Sequence, residues 1–177
     1  ITEALAHSDE IGHVYGMLNG MEGFLQDRYM DMGQELSGEE LELLKLTPAA
    51  YLGSCRFKLP ENLEDDFYKT AFEKMDALNI GYFFYIGGND SMDTVSKLSR
   101  YGERIGSDIR FIGVPKTIDN DLIETDHTPG FGSAAKYVAS TVREIVLDAS
   151  VYEQKAVTII ELMGRHAGWL TAASVLA

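Results

Sequence analysis

Residues 82–91 read YFFYIGGNDS, an apolar run followed by two glycines and three polar residues. The apolar run is continuous rather than alternating, which is typical of a strand in a parallel sheet covered on both faces. Glycines allow the backbone to approach a ligand closely, and the N-terminus of a following helix attracts anions. The stretch predicts a buried strand, a glycine turn and a helix, although a tight turn without a ligand would also explain the glycines.

Three other stretches predict strands of the same kind, at residues 12–18, 109–114 and 156–162. Apolar residues with helical spacing lie between or beside these strands, over residues 67–78, 92–98 and 131–149. Alternation of strands and helices predicts an α/β fold with a doubly wound, mostly parallel sheet.

Local signals predict where helices begin. Ser37 and Glu40 have the spacing of a capping box at the start of a short acidic helix. Thr128 and Pro129 are a predicted N-cap and first-turn pair for the long helix that follows them. The chain begins and ends within helix-like runs, so we expect residues 1–177 to be part of one domain of a longer protein, truncated at both ends.

Composition argues against several classes of protein. With 177 residues, of which 45% are hydrophobic, the chain is long enough for a folded domain. Its net charge of -13 argues against general affinity for nucleic acid or anionic membranes, although a local cluster of amides and cations can still bind an anionic substrate. A single cysteine, Cys55, and the lack of an apolar run near the ~20 residues of a membrane span predict a cytoplasmic protein.

Polar clusters follow three of the predicted strands, at residues 87–91, 115–121 and 163–166. In an open α/β sheet, ligands bind beyond the carboxyl ends of the strands. The clusters contain glycines and charges of both signs, which is more than turns alone require. We therefore expect them to form a site for an anionic ligand.

The second cluster has the residue types of phosphoryl transfer. Asp119 and Asp121 lie on either side of Asn120, and in an extended loop their side chains would point the same way. One carboxylate can take a proton from a substrate hydroxyl, while the other orients the substrate or binds Mg²⁺ through water. Lys116 can hold phosphoryl oxygens as a point charge. The alternative is a capping turn with surface acids.

Charged residues in the other clusters also have two interpretations. Asp90, at the predicted helix start, can satisfy helix N–H groups, and it can also repel a nucleotide phosphate while leaving room for a shorter donor. Gly164 and Arg165 suit a substrate phosphate, or an arginine paired with a structural carboxylate. Arg56 is either a second phosphate clamp or a solvated loop residue.

These clusters carry a family resemblance. The strings IGGNDS at 86–91, PKTIDND at 115–121, TD at 125–126 with GF at 130–131, and MGR at 163–165 occur in the order and spacing of phosphofructokinases. LGSCRF at 52–57 also resembles the arginine loop of that family. The resemblance covers nearly the whole chain, and PKTIDND is its most specific string.

The resemblance implies a role for each matching residue. Asp119 would deprotonate the sugar hydroxyl of fructose 6-phosphate. The implied catalytic residues are Asp119, Lys116 and Asp90. The implied substrate-binding residues are Thr117, Ile118, Asp119, Asp121, Met163, Gly164, Arg165 and Arg56. The implied donor-binding residues are Gly88, Asp90, Ser91 and Lys116, and the candidate Mg²⁺ ligands are Asn89 and Asp121.

The resemblance also bears on the phosphoryl donor. ATP-dependent relatives have glycine at the position of Asp90, and many also have glycine at the position of Lys116. Aspartate and lysine at these places are typical of members that use pyrophosphate. Asn89 departs from the aspartate that often serves the metal in the family, although some pyrophosphate-type members share the Gly-Gly-Asn-Asp string.

The resemblance therefore implies Mg²⁺-dependent transfer from pyrophosphate to the 1-hydroxyl of fructose 6-phosphate, a step of glycolysis. It also implies a homo-oligomer, dimer or tetramer, and little activity for this piece alone. The alternatives are an ATP-dependent phosphofructokinase and a non-catalytic regulatory subunit that binds sugar phosphate. A dinucleotide-binding domain fits poorly, because the glycine turn lacks the third glycine of that fingerprint.

Overall fold

The computed structural model describes residues 1–6 and 8–176; His7 and Ala177, the last residue of a predicted helical run, lie outside the described residues. The chain divides into two units, Ile1–Leu59 and Pro60–Ala177, and each is described by itself. Within the described residues, no helix is both long and apolar enough to cross a membrane.

Unit 1 contains short helices and one small sheet. Its elements are α1 (Thr2–Ala6), β1 (Tyr15–Met17), α2 (Gly20–Leu25), β2 (Tyr29–Asp31), α3 (Met32–Glu35) and α4 (Gly38–Leu44). Its core is formed by buried apolar side chains, those of Met21, Phe24, Met32, Leu41 and Leu59.

The strand predicted at residues 12–18 is present as the shorter β1, but the prediction that it joins a parallel sheet is wrong. Only β1 forms there, and it pairs antiparallel with β2, with Tyr15 opposite Asp31. Residues 18–28 connect the two strands. Such a connection is short for a parallel crossover, which usually takes about a dozen residues or more, whereas an antiparallel pair accepts it readily.

The capping box predicted at the start of the acidic helix is confirmed at α4. The hydroxyl of Ser37 accepts a hydrogen bond from the Glu40 amide at 3.2 Å, and the Glu40 carboxylate accepts one from the Ser37 amide at 2.8 Å. The Ser37 amide, together with its hydroxyl, holds the pKa of Glu40 below its usual value.

Replacing Ser37 with alanine is expected to lower the free energy of unfolding by about 1 kcal/mol, because one helix N–H loses its acceptor. Urea unfolding of the full-length protein measures the change, with Ser54→Ala in an exposed loop as the control. The Glu40 bonds stabilise the fold above the ordinary glutamate pKa and lose this effect as pH falls through the lowered pKa. Equal urea midpoints for the two variants at neutral pH would contradict the prediction.

Unit 2 contains a parallel pair of strands with helices. Its elements are α5 (Asp66–Ala77), β3 (Tyr82–Gly87), α6 (Asn89–Ile105), β4 (Arg110–Pro115), α7 (Phe131–Ser150) and α8 (Trp169–Ser174). β3 and β4 pair in parallel from Tyr82 opposite Arg110 to Gly87 opposite Pro115, which confirms the strands predicted at 82–86 and 109–114.

The core of unit 2 lies where α5 and α6 meet the sheet. α6 packs on both strands, and its Leu98 is fully buried. α5 buries side chains at helical spacing, those of Tyr68, Ala71, Phe72 and Met75. The ring of Phe72 lies 5.6 Å from that of Phe111 on β4, measured between ring centroids. The amphipathic segments predicted before β3 and after it are therefore confirmed as helices.

Two predictions in unit 2 are wrong. Residues 156–162 form no strand and pair with neither β3 nor β4; Val157 is 92% exposed. Apolar composition alone does not make a strand, because its backbone needs a neighbouring strand to bond with. The N-cap of α7 is Gly130, with φ of 101°, rather than Thr128 with Pro129. Thr128 is buried, and its hydroxyl is bonded elsewhere.

Candidate active site

The carboxyl ends of β3 and β4 bring the first two polar clusters to one edge of the sheet. Gly87 and Pro115 are paired at the last register position of the two strands. Just beyond it, the Lys116 amide donates a hydrogen bond to the Gly87 carbonyl at 2.8 Å. The predicted juxtaposition of residues 87–91 with residues 115–121 is therefore present in the structure.

The glycine turn is tightly built. Gly87 is buried, and a side-chain carbon at this position would lie 2.1 Å from the Ser91 hydroxyl oxygen. Gly88 is the N-cap of α6, and its carbonyl accepts hydrogen bonds from the amides of Ser91 and Met92 at 3.0 and 3.1 Å. The backbone of the turn therefore presents the N-terminus of a long helix, an arrangement that suits phosphate oxygens.

Asp90 lies in the first turn of α6 and is exposed. The Thr94 hydroxyl donates to the Asp90 backbone carbonyl at 3.1 Å. None of the described residues donates a hydrogen bond to the Asp90 carboxylate, so the prediction that this group satisfies helix N–H groups is wrong. The N-cap position is held by Gly88, which leaves the negative charge of Asp90 open to solvent beside the glycine turn.

The acidic loop, defined here as residues 116–130, is not extended. Asn120 has φ of 56°, in the left-handed region, so the prediction that Asp119 and Asp121 share one side of an extended loop is wrong. Asparagine adopts this conformation more readily than most residues. The Asp119 amide donates to the Thr117 hydroxyl at 3.1 Å. Within the loop Lys116 is exposed, and the four residues from Thr117 through Asn120 are half-buried.

Two residues that the sequence interpretation did not place in the site organise this loop. The Asn120 side chain donates to the Asp126 carbonyl at 3.1 Å and accepts from the Thr128 amide at 2.9 Å. The Thr128 hydroxyl donates to the Thr117 carbonyl at 2.6 Å. An asparagine between two aspartates, where a left-handed residue would turn the chain, is the signal that could have identified the first of them.

Asp121 connects the acidic loop with the glycine turn. Its Oδ2 accepts a hydrogen bond from the Asn89 side-chain amide at 2.8 Å. Its Oδ1 is buried and has no hydrogen-bond partner among the described residues. Buried carboxylate oxygens are seldom left without a partner, so this oxygen is a candidate ligand for a bound ion. Proteins usually bind Mg²⁺ through one or two carboxylates together with phosphate oxygens of the substrate. Asp121 therefore fits a Mg²⁺ ion, whereas Asn89 turns its donor group toward the carboxylate.

The third cluster is exposed at Met163, Gly164 and Arg165. Gly164 has φ of 142°, and a side-chain carbon there would lie 2.3 Å from the Ala167 carbonyl oxygen, so this turn requires glycine. No strand leads into the cluster, and no described hydrogen bond or ion pair joins it to the first two clusters. Arg56 lies in unit 1, where it is exposed.

Comparison with known proteins places these features in a family. A sequence model described as Phosphofructokinase matches residues 2–177. A pyrophosphate–fructose 6-phosphate 1-phosphotransferase from Methylococcus capsulatus is 45% identical over an alignment of 178 positions, which covers 98% of this chain and 42% of that protein. An ATP-dependent 6-phosphofructokinase from Actinobacillus pleuropneumoniae is 31% identical over 164 residues, or 93% of this chain and 47% of that protein.

A solved structure gives the same result for the fold. The crystal structure of a pyrophosphate-dependent phosphofructokinase from Nitrosospira multiformis matches with a TM-score of 0.86 and 42% sequence identity. The match covers 99% of this chain and 45% of that one. The predicted α/β fold class is thereby confirmed, and the chain spans less than half the length of each of these relatives.

Proposed function

Since this chain belongs to the phosphofructokinase family, we propose that the protein containing it transfers a phosphoryl group from pyrophosphate to the 1-hydroxyl of fructose 6-phosphate. The products are fructose 1,6-bisphosphate and phosphate. In this proposal residues 1–177 belong to the catalytic and donor-binding domain. The names of the similar proteins support the reaction, and the edge formed by β3 and β4 supports the location of its chemistry.

Asp119 is the proposed general base. Its carboxylate takes the proton of the 1-hydroxyl, the freed oxygen forms a bond to a phosphorus of pyrophosphate, and the bridging P–O bond breaks to release phosphate. Lys116, one residue beyond β4, stabilises the charge that spreads over the transferred group. The intact pair of Asp119 and Asp121 argues against a non-catalytic regulatory subunit.

The remaining proposed roles concern binding. Asp121, whose buried Oδ1 has no described partner, would hold Mg²⁺, and the bound ion would supply positive charge to the pyrophosphate oxygens. Gly88 and Ser91 present the α6 N-terminus to the donor. The residues of unit 2 proposed for the sugar phosphate are Thr117, Ile118, Met163, Gly164 and Arg165. The exposed guanidinium of Arg165 and the glycine-specific turn before it support this assignment. The phosphate-binding role that the family resemblance implies for Arg56, in unit 1, stays a prediction.

The proposal that pyrophosphate is the donor depends mainly on Asp90. Asp90 lies just beyond the glycine turn, where the donor is proposed to bind. Its carboxylate is exposed and makes no described hydrogen bond. The phosphates of a nucleotide would extend past this charge and be repelled by it, whereas pyrophosphate is short. The ATP-dependent relative is also the more distant one.

Replacing Asp90 with glycine is expected to raise kcat/KM for ATP and lower it for pyrophosphate, changing their ratio by about 10- to 100-fold. Initial rates of the full-length protein with each donor, at saturating fructose 6-phosphate, measure this ratio. Asp108→Gly is the matched control, because it removes an exposed carboxylate just before β4, at the opposite end of that strand. A wild-type protein that uses ATP and not pyrophosphate would overturn the proposed donor.

The setting of the reaction is proposed from the family alone. We expect a homo-oligomer, dimer or tetramer, that acts in glycolysis in the cytoplasm. Light scattering of the full-length protein measures its mass, and a monomer would contradict this expectation.

A further inference from the structure

We propose that Asn120 and Thr128 are positioning residues, whose side chains clamp the acidic loop so that Asp119 and Asp121 face the substrates correctly. The proposal rests on the proposed function, because it concerns the geometry of the same site. It adds two residues that the family resemblance did not place there.

Asn120 supplies the first half of the clamp. Its left-handed backbone turns the chain between the two aspartates, with φ of 56°. Its side chain uses both ends of the amide, the nitrogen toward the Asp126 carbonyl and the oxygen toward the Thr128 amide. Aspartate could provide the left-handed turn and the acceptor but no donor, and glycine only the backbone conformation, so asparagine meets all three requirements at once.

Thr128 supplies the second half. The residue is 3% exposed, and its hydroxyl donates a hydrogen bond to the Thr117 carbonyl at 2.6 Å. Its own carbonyl accepts from the Phe131 amide at 3.1 Å, at the start of α7. Thr117 also forms an isolated parallel bridge with Gly130. The start of the acidic loop is thus fixed to the first turn of a 20-residue helix.

The consequence for catalysis follows from where the clamp acts. In the sequence, Asn120 lies between the two aspartates. The Thr117 hydroxyl accepts a hydrogen bond from the Asp119 amide. The described hydrogen bonds of the Asn120 and Thr128 side chains are all made within the loop. These residues therefore act through Asp119 and Asp121 rather than on substrate. A displacement of about 1 Å at a reacting group can cost ~10²-fold in rate.

The test measures kcat and KM of the full-length enzyme with pyrophosphate, with ATP and with fructose 6-phosphate. Asn120→Gly, which keeps the turn and loses both side-chain bonds, is expected to lower kcat by about 10- to 100-fold with KM changed less than threefold. Asn120→Asp keeps the acceptor, so its kcat should lie between that of Asn120→Gly and that of the wild type. Thr128→Val should lower kcat by about 10-fold, and Thr128→Ser should restore it.

The matched control is Thr125→Val. The Thr125 hydroxyl lies in the same loop, and its one hydrogen bond among the described residues goes to the nearby Ile123 carbonyl at 3.1 Å, so its loss should leave kcat within twofold of the wild type. Thermal melting identifies a variant that fails to fold. If Asn120→Gly fails to fold, the kcat of Thr128→Val relative to that of Thr128→Ser tests the proposal instead.

Three outcomes distinguish the two proposals. Folded Asn120→Gly and Thr128→Val proteins with wild-type kcat, or with a raised KM alone, would overturn the clamp and leave the proposed function standing. A wild type that uses only ATP would overturn the pyrophosphate reaction, and kcat with ATP would then decide the clamp. A wild type that turns over neither donor would overturn both.

Discussion

Asp119→Asn is expected to lower kcat for pyrophosphate and fructose 6-phosphate by about 10³-fold, because asparagine keeps the shape of the side chain and cannot accept the hydroxyl proton. The backbone contact of Asp119 with Thr117 does not involve the carboxylate, so the substitution should leave the loop in place. KM for fructose 6-phosphate should therefore change much less than kcat. Initial rates of the full-length enzyme at saturating donor measure both constants.

The same variant offers a second measurement, in the reverse direction. A group that accepts the proton during transfer to the sugar must return it when fructose 1,6-bisphosphate donates to phosphate. The Asp119→Asn substitution should therefore lower the forward rate and the reverse rate by the same factor. Glu124→Gln, which removes an exposed carboxylate from the same loop, is the control and should keep the wild-type rate. A tenth or more of the wild-type kcat in Asp119→Asn would rule out this residue as the base.

Gly23→Ala is expected to lower the free energy of unfolding by about 3 kcal/mol. Gly23 is buried in α2, and a side-chain carbon there would lie 1.6 Å from the Leu18 carbonyl oxygen and 3.2 Å from that of Arg28. Both obstacles are backbone atoms, and the Leu18 amide itself bonds the Arg28 carbonyl at 3.0 Å beside β1 and β2. Relief of the clash would therefore disturb the small sheet of unit 1.

The competing effect is the better helix propensity of alanine, which favours the substitution by only about 0.5–1 kcal/mol. Gly38→Ala is the matched control, because Gly38 begins α4 in the same unit and an added carbon there meets no atom within 4 Å. Urea unfolding of both full-length variants should give a clear loss of stability for Gly23→Ala and none for Gly38→Ala. Similar midpoints would show that the backbone adjusts at no cost.

The parts of the fold that the sequence predicted well depend on local signals. The continuous apolar run of β3, the glycine pair after it and the periodicity of α6 are all contained within about 25 neighbouring residues. The capping box of Ser37 and Glu40 is contained within four. In each case the interacting groups are close in sequence, so residue type and spacing alone define the structure.

The predictions that failed depend on partners distant in sequence. Residues 156–162 are apolar enough for a strand, but only a neighbouring strand can satisfy the backbone, and the segment itself does not encode that neighbour. Thr128 has the side chain of an N-cap, yet it bonds to Thr117, eleven positions earlier. The bend at Asn120 likewise depends on Asp126 and Thr128, which the loop brings back toward it.

The same contrast between contacts that are close in sequence and contacts that are distant explains why the site was predicted only in part. The strings at the ends of β3 and β4 indicated the family, and the comparisons confirm that family. The sequence interpretation missed the hydrogen bond between Asn89 and Asp121, because these residues are 32 positions apart. It named Asn89 as a candidate metal ligand and did not predict its contact with Asp121.

The hydrogen bond between Asn89 and Asp121 has a consequence for the engineering of donor preference. The side chain of Asn89 links the glycine turn to the acidic loop, whereas that of the adjacent Asp90 has no described bond to the loop. Under the proposed function, a substitution at position 90 is therefore expected to alter donor preference and leave the acidic loop in place. A substitution at position 89 is expected to loosen the contact of the glycine turn with Asp121 as well. Engineering of donor preference can therefore begin at position 90 with the acidic loop intact.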